Sequence, residues 1–123
     1  MNAERVKAGV KKVASNSKLG LAATRHSTDM AAHNFFSHTG SNGTSMTDRI
    51  TKAGYKFSAA GETLYAGGGS YKTPQACINA WLNSSGHRSI MLSSAYTQVG
   101  IGYKYNAKSK YGGYYTADFA KPR

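Results

Sequence analysis

Two runs near the end of the chain, Val99 to Tyr105 and Gly113 to Phe119, limit its fold more than any other feature. Both are rich in Val, Ile, Tyr and Thr, the side chains that suit a pleated, half-buried surface. Lys108-Ser109-Lys110-Tyr111-Gly112 lies between them, so the two runs read as a hairpin. Ala59 to Ala66 suits a further strand and leads into a flexible turn at Gly67-Gly68-Gly69-Ser70. Helical patterns dominate the part of the chain ahead of these strands. That order, with short turns between strands, predicts an α+β fold around an antiparallel sheet.

The helical patterns differ in strength. Val6, Val10 and Val13 stand at helical spacing and predict a helix over residues 2–15, which Gly9 weakens. A second helix is better marked, with Leu19, Ala22, Ala23, His26, Met30 and Ala31 on one face. On its other side Arg25 and Asp29 are spaced for an i,i+4 pair. Asn34 to Gly43 reads as a loop. Thr44 or Ser45 then caps a short helix that runs to about Lys52 and stops at Gly54. Thr73-Pro74 is a cap followed by proline at the first helical position, and it opens a helix with Cys77, Ala80, Trp81 and Ser84 on one face.

At 123 residues the chain can bury a real core, and it has no internal repeat or linker, so residues 1–123 are expected to form one domain. No apolar run reaches the length of a membrane span, and mean hydropathy is −0.50. Met1-Asn2-Ala3-Glu4-Arg5-Val6 leads straight into helix and lacks the layout of a signal peptide, so an exported form would have lost its leader already. Cys77 is the only cysteine, which excludes an intrachain disulfide without deciding the compartment. The net charge is +11, with basic residues scattered and densest at Lys11-Lys12 and at Lys104, Lys108 and Lys110. Specific nucleic-acid readers cluster their cations on one element beside a known motif, and no such motif is present. The charge fits a cationic surface that adheres to anionic polymers.

Four segments carry a resemblance. They are His26-Ser27-Thr28-Asp29-Met30-Ala31 with Phe35-Phe36-Ser37-His38; Gly61-Glu62-Thr63-Leu64-Tyr65-Ala66-Gly67; Trp81 through Ser84-Ser85-Gly86-His87-Arg88 to Met91; and Tyr96-Thr97-Gln98-Val99-Gly100-Ile101-Gly102-Tyr103 with Tyr114 to Phe119. In this order they resemble the CAP superfamily of cysteine-rich secretory proteins, antigen 5 and plant pathogenesis-related proteins. The Ser-Gly-His-Arg form and the near absence of cysteine resemble its bacterial-type, SCP-like branch. The resemblance implies a three-layer α-β-α sandwich with a central, mainly antiparallel sheet and a ligand-binding cleft. It also implies an extracellular, secreted protein. In many eukaryotic members two His and two Glu converge in the cleft and can hold a divalent metal. Here His38 and Glu62 match half of that set, while Ser84 and Ala95 stand where the other Glu and His would be. His87 is a candidate replacement, so that His38, Glu62 and His87 would form a two-His, one-carboxylate site for zinc or another divalent ion.

Each candidate also has a structural reading. His38 and Glu62 can tie a loop to a strand through a buried hydrogen bond, and His87 can cap a turn beside Arg88. His26 is expected to be a hydrogen-bonded core residue and His33 a surface one. Cys77 reads as a small buried hydrophobe, Trp81 and the late tyrosines as packing residues, and Asp48-Arg49 as a structural ion pair or cap. Neither Ser37 nor Ser84 sits in a nucleophile elbow. The leading functional reading is a non-enzymatic secreted CAP domain whose cleft, lined by His38, Glu62, Ser84 and His87, binds a lipid, a sterol, an envelope polymer or a metal. The second is a metal-dependent hydrolase in which Glu62 or His38 is catalytic and Ser84 positions substrate. The third is an adhesive module that works through its outer surface.

Overall fold

In the computed structural model, which describes residues 1–123, the chain opens with a short helix α1 (Asn2–Lys7) and a two-residue strand β1 (Ala14–Ser15). Helices α2 (Ser17–His33) and α3 (Met46–Lys52) follow, then the long strand β2 (Phe57–Gly67) and a 3-10 turn (Gly69–Lys72). Helices α4 (Pro74–Leu82) and α5 (Ser85–Met91) lead into the hairpin β3 (Gln98–Tyr105) and β4 (Gly113–Pro122). The sheet order is β1-β3-β4-β2, with β1 parallel to β3 and the other pairs antiparallel.

The first helix is shorter than its valine spacing predicts. Gly9 takes a left-handed φ of 76°, which ends the helix and turns the chain. Arg5 is fully buried and binds three carbonyls, those of Lys11 at 2.8 Å, Met91 at 2.7 Å and Tyr96 at 3.2 Å. Ala14 and Ser15 then pair with Gln98 and Val99, and Val13 enters the core. A straight helix to residue 15 would forfeit that pairing and that burial.

The other helices begin and end as their caps dictate. Asn16 accepts from the backbone N–H groups of Lys18 and Leu19 to start α2. Ser45 forms a capping box with Asp48 at the start of α3, and the Thr73 hydroxyl accepts from Ala76 at the start of α4. The expected Arg25–Asp29 pair does not form. Asp29 instead accepts from the backbone and hydroxyl of Ser41 at 2.9 and 2.6 Å, and it meets His33 at 2.8 Å.

Two helical layers enclose the sheet. On one face Met30 and Ala31 of α2 pack with Leu64 and Tyr114. On the other, Cys77 and Trp81 of α4 and Met91 of α5 pack with Val99, Tyr115, Ala117 and Phe119. Trp81 also donates its indole N–H to the Leu64 carbonyl at 2.9 Å. The result is a three-layer α-β-α sandwich, and β4 is buried on both sides from Gly113 to Ala120. Gly100 and Gly102 of β3 let α2 lie directly on the strand. A Cβ at either would collide with helix backbone, that of Leu19 and Gly20 or of Ala23 and Thr24.

Candidate functional site

The edge strand β2 presents Glu62 toward the loop after α2. Glu62 is 4% exposed, and a charge so buried needs partners. His38 supplies one, with its Nδ1 at 3.0 Å from Oε1. Arg49 supplies the stronger contact, because its Nη2 lies 2.9 Å from Oε1 and 2.8 Å from Oε2. The Arg49 Nη1 also donates to the carbonyls of His38 at 2.9 Å and Thr44 at 3.1 Å. One guanidinium thus fixes the strand, the loop that carries His38 and the entry to α3.

Asp118 lies opposite Glu62 in the β2–β4 register and is fully buried. Neither of its oxygens has a donor. Burial, the hydrogen bond to Glu62 and the Glu62 charge push its carboxyl well above the ordinary range, so Asp118 is held as a neutral acid. A protonated Asp118 would find its acceptor in Glu62, its partner in the β2–β4 register. Burial pushes the Glu62 carboxyl upward as well, but hydrogen bonds from His38, Asp118 and Arg49 and the Arg49 charge outweigh it and hold the group at about 2. The pair is one acid and one carboxylate, sorted by which of them Arg49 reaches.

The expected His38–Glu62 hydrogen bond is therefore present, with His38 itself well exposed at 57% of its side chain. The second part of the site comes from α5, which the sequence reading took only for a turn. Ser84 precedes that helix and its Oγ lies 2.9 Å from His87 Nδ1. Burial, and then His38, hold the His87 imidazole below its ordinary value. So the structure brings His38 to Glu62 and Ser84 to His87 by direct contact. The Arg49 and Asp118 contributions went unread in the sequence. Of the two readings of Asp48-Arg49, an ion pair or a cap, Asp48 serves the α3 cap, while Arg49 turns to Glu62.

The residues present do not fit a divalent ion. Both Glu62 oxygens accept from Arg49, so a permanent cation already occupies the carboxylate face that a metal would need. No three His, Cys, Asp or Glu side chains are grouped so as to hold a metal. A separate hydrophilic cleft of about 340 Å³ lies between α2 and α3, reaches Arg49 and is walled also by Arg25, His26, Asp29 and Lys52. His38, Glu62, Ser84 and His87 are not part of its wall.

His26 is the hydrogen-bonded core residue expected of it. It is 1% exposed, and its Nε2–H donates to the Ser37 carbonyl at 2.8 Å, anchoring the loop just ahead of His38. Burial and the nearby Arg49 charge hold its imidazole below the ordinary value. The unfolded chain therefore takes up a proton at higher pH than the folded one. Stability is complete above the ordinary histidine value of about 6.5 and falls as pH drops through it. Chemical denaturation at about pH 7.5 and about pH 5.5 should show that fall, and His26→Gln should reduce it. An identical fall in the variant would remove His26 from the account. Cys77 is buried, and burial pushes its thiol up to about 12.

An α-β-α sandwich that ties a loop histidine to a glutamate on its edge strand, and carries a Ser-Gly-His-Arg helix, defines a class, the CAP domains. The family model for the cysteine-rich secretory protein family matches residues 1–119, and the chain belongs to that CAP family. It is 36% identical over 102 residues to the protein YkwD of Bacillus subtilis strain 168, covering 83% of this chain and 38% of YkwD. Among solved structures, an extracellular SCP-domain protein from Bacillus anthracis strain Ames is 29% identical, with a TM-score of 0.85. That match covers 98% of this chain and 37% of the other. An outer surface protein from Borrelia burgdorferi shares the fold at a TM-score of 0.86 and 20% identity, covering 99% of this chain and 86% of its own. The chain spans well under half the length of YkwD.

Proposed function

We propose that residues 1–123 act outside the cell as one ligand-binding CAP domain, without a catalytic step, through the site formed by His38, Glu62, Ser84 and His87. The observation that carries this reading is the saturation of Glu62. Its two oxygens accept three hydrogen bonds from Arg49 and His38, so it is a structural anion whose carboxylate face is already engaged by a permanent cation. A group held at about 2 is also a poor general base near neutral pH. Both points weigh against the metal-dependent hydrolase reading, as regards Glu62 as ligand and as base. His38 and His87 keep ring positions that can hydrogen-bond a ligand, and the hydroxyl and imidazole groups around them favour a hydrophilic ligand over a lipid or sterol. The likeness to an extracellular Bacillus anthracis protein supports the location. No helix is long and apolar enough to cross a membrane.

The test is proton NMR of the imidazole rings during titration with an N-acetylglucosamine oligomer, palmitate and zinc chloride in turn. The sugar should shift the His38 and His87 signals and the fatty acid should not. Zinc binding tighter than about 10 µM that disappears in His38→Ala would overturn the reading in favour of a metal site.

A further inference from the structure

On the face of the sheet that carries α4, tyrosines stand side by side on three strands. Tyr65 of β2 pairs in register with Tyr115 of β4, and Tyr115 with Tyr103 of β3. The ring centroids are 6.3 Å apart for Tyr65–Tyr115 and 4.5 Å for Tyr115–Tyr103, so the row is a continuous aromatic contact. In the next row Gly67 and Gly113 carry no side chain, and Tyr105 ends it. That leaves a flat floor on which the 3-10 turn rests. The hydroxyls of Tyr65 and Tyr115 are tied to the carbonyls of Tyr71 and Lys72 at 2.8 and 2.9 Å.

Helix α4 packs over Tyr115 and Tyr65 but leaves the β3 end of the ladder bare. Ile101, Tyr103 and Tyr105, alternating along one face of β3, are 48%, 39% and 46% exposed. Lys72 holds its ammonium 4.7 Å from the Tyr105 ring centroid. Between Glu62 and Asp118 the sequence contains no acidic residue at all, and those two flanking groups are themselves buried. The exposed rings therefore adjoin a stretch of chain whose charges are cationic, with Lys72 at Tyr105 and Lys108 and Lys110 in the hairpin turn.

We propose that this tyrosine strip is a docking surface for an anionic sugar polymer, with sugar rings stacked on Tyr103 and Tyr105 and their acidic groups met by Lys72 and the hairpin lysines. The strip goes beyond the site at His38 and takes from the reading above only that such a polymer is within reach. Charge alone would attract any polyanion. The rings select among polyanions, because a flat apolar face carrying a polar edge suits a sugar ring. A bilayer surface also attracts tyrosines, but it anchors them by freely protruding tips, whereas Tyr103 is held ring against ring with Tyr115 at 4.5 Å between centroids.

Binding of polygalacturonate, polyglutamate and phosphatidylglycerol vesicles should be measured by calorimetry or sedimentation at low salt. Polygalacturonate should bind and weaken as salt rises. Tyr103→Ala with Tyr105→Ala should lower its affinity about tenfold, while the matching phenylalanine pair keeps it. Lys72→Glu, which leaves the ladder intact, should weaken binding independently of any folding defect in the alanine pair. Polyglutamate bound as tightly as polygalacturonate, with the tyrosine variants unaffected, would reduce the strip to bulk charge and overturn the proposal. Vesicle binding without sugar-polymer binding would overturn it in favour of a membrane surface. The tyrosine variants should leave the His38 and His87 signals responsive to the N-acetylglucosamine oligomer, which separates this surface from the first site.

Discussion

Replacing Arg49 with alanine is expected to destabilise the fold by about 3–5 kcal/mol, measured as a shift in the denaturant midpoint at unchanged slope. Arg49 is 9% exposed at its side chain and Glu62 2%, so their contact is largely dry. Removing the guanidinium leaves a buried carboxylate beside a second carboxyl group and frees the carbonyls of His38 and Thr44. The cost of an unpaired buried charge exceeds the net worth of the pair that is lost. Adding Glu62→Gln to the alanine variant should therefore restore much of the stability, which distinguishes an electrostatic origin from simple loss of packing.

The acid limb of the stability profile should move as well. Glu62 is depressed in the folded state, so its contribution is complete above the ordinary carboxylate value and lost as pH falls toward about 2. Asp118 has the opposite sign. Its raised value favours the fold below the ordinary carboxylate range, and that contribution is lost progressively as pH rises from there through the raised folded value. Without Arg49 the Glu62 group rises toward its ordinary value, and the acid-dependent loss shrinks. A loss below about 1 kcal/mol with an unaltered acid limb would show that Arg49 is dispensable to the pair.

The second large effect belongs to Gly102. Alanine there should cost at least about 3 kcal/mol, because the added methyl meets the backbone of Ala23 and Thr24 and not a side chain that can swing away. Relief requires α2 to lift from β3, and that also loosens the contacts of Leu19 and Ala22 in the core. Ser27 ties the same interface, bonding to Thr116 at 2.7 Å and to the Gly102 carbonyl at 3.2 Å. Gly86→Ala serves as the control, since a methyl there meets nothing within 4 Å. Equal stability of the two variants would mean that the helix and strand have room to spare.

Much of this architecture was readable in the residues because local patterns and tertiary packing agree. The long apolar face of α2, the Thr73-Pro74 start of α4 and the β-branched and aromatic runs of the hairpin each repeat one instruction over several residues. The misreadings fall where a local pattern competes with a distant partner. Val6, Val10 and Val13 mimic a helix, yet Arg5 is claimed by carbonyls of Met91 and Tyr96 far along the chain. A two-residue β1 is too short to show any period. Ser84-Ser85-Gly86 has the chemistry of a turn, although it opens α5.

At the candidate site the same division holds. His38 and Glu62 were identified by motif, and the structure joins them. Asp48-Arg49 read as a local ion pair or cap, since nothing in a sequence reveals that residues 49 and 62 face each other across two elements. Asp118 did leave a signal, an ionisable residue in an otherwise apolar strand, and such a residue at the centre of a sheet calls for a partner.

Cys77 has a different consequence. A thiol that is sealed in the core and pushed up to about 12 is chemically silent while the sandwich is closed. Once α4 leaves the sheet, the same sulfur returns to ordinary acidity and reacts freely. The domain thus contains its own reporter of breathing. The rate at which a thiol reagent consumes Cys77 measures how often the α4 layer opens, without any label having been added.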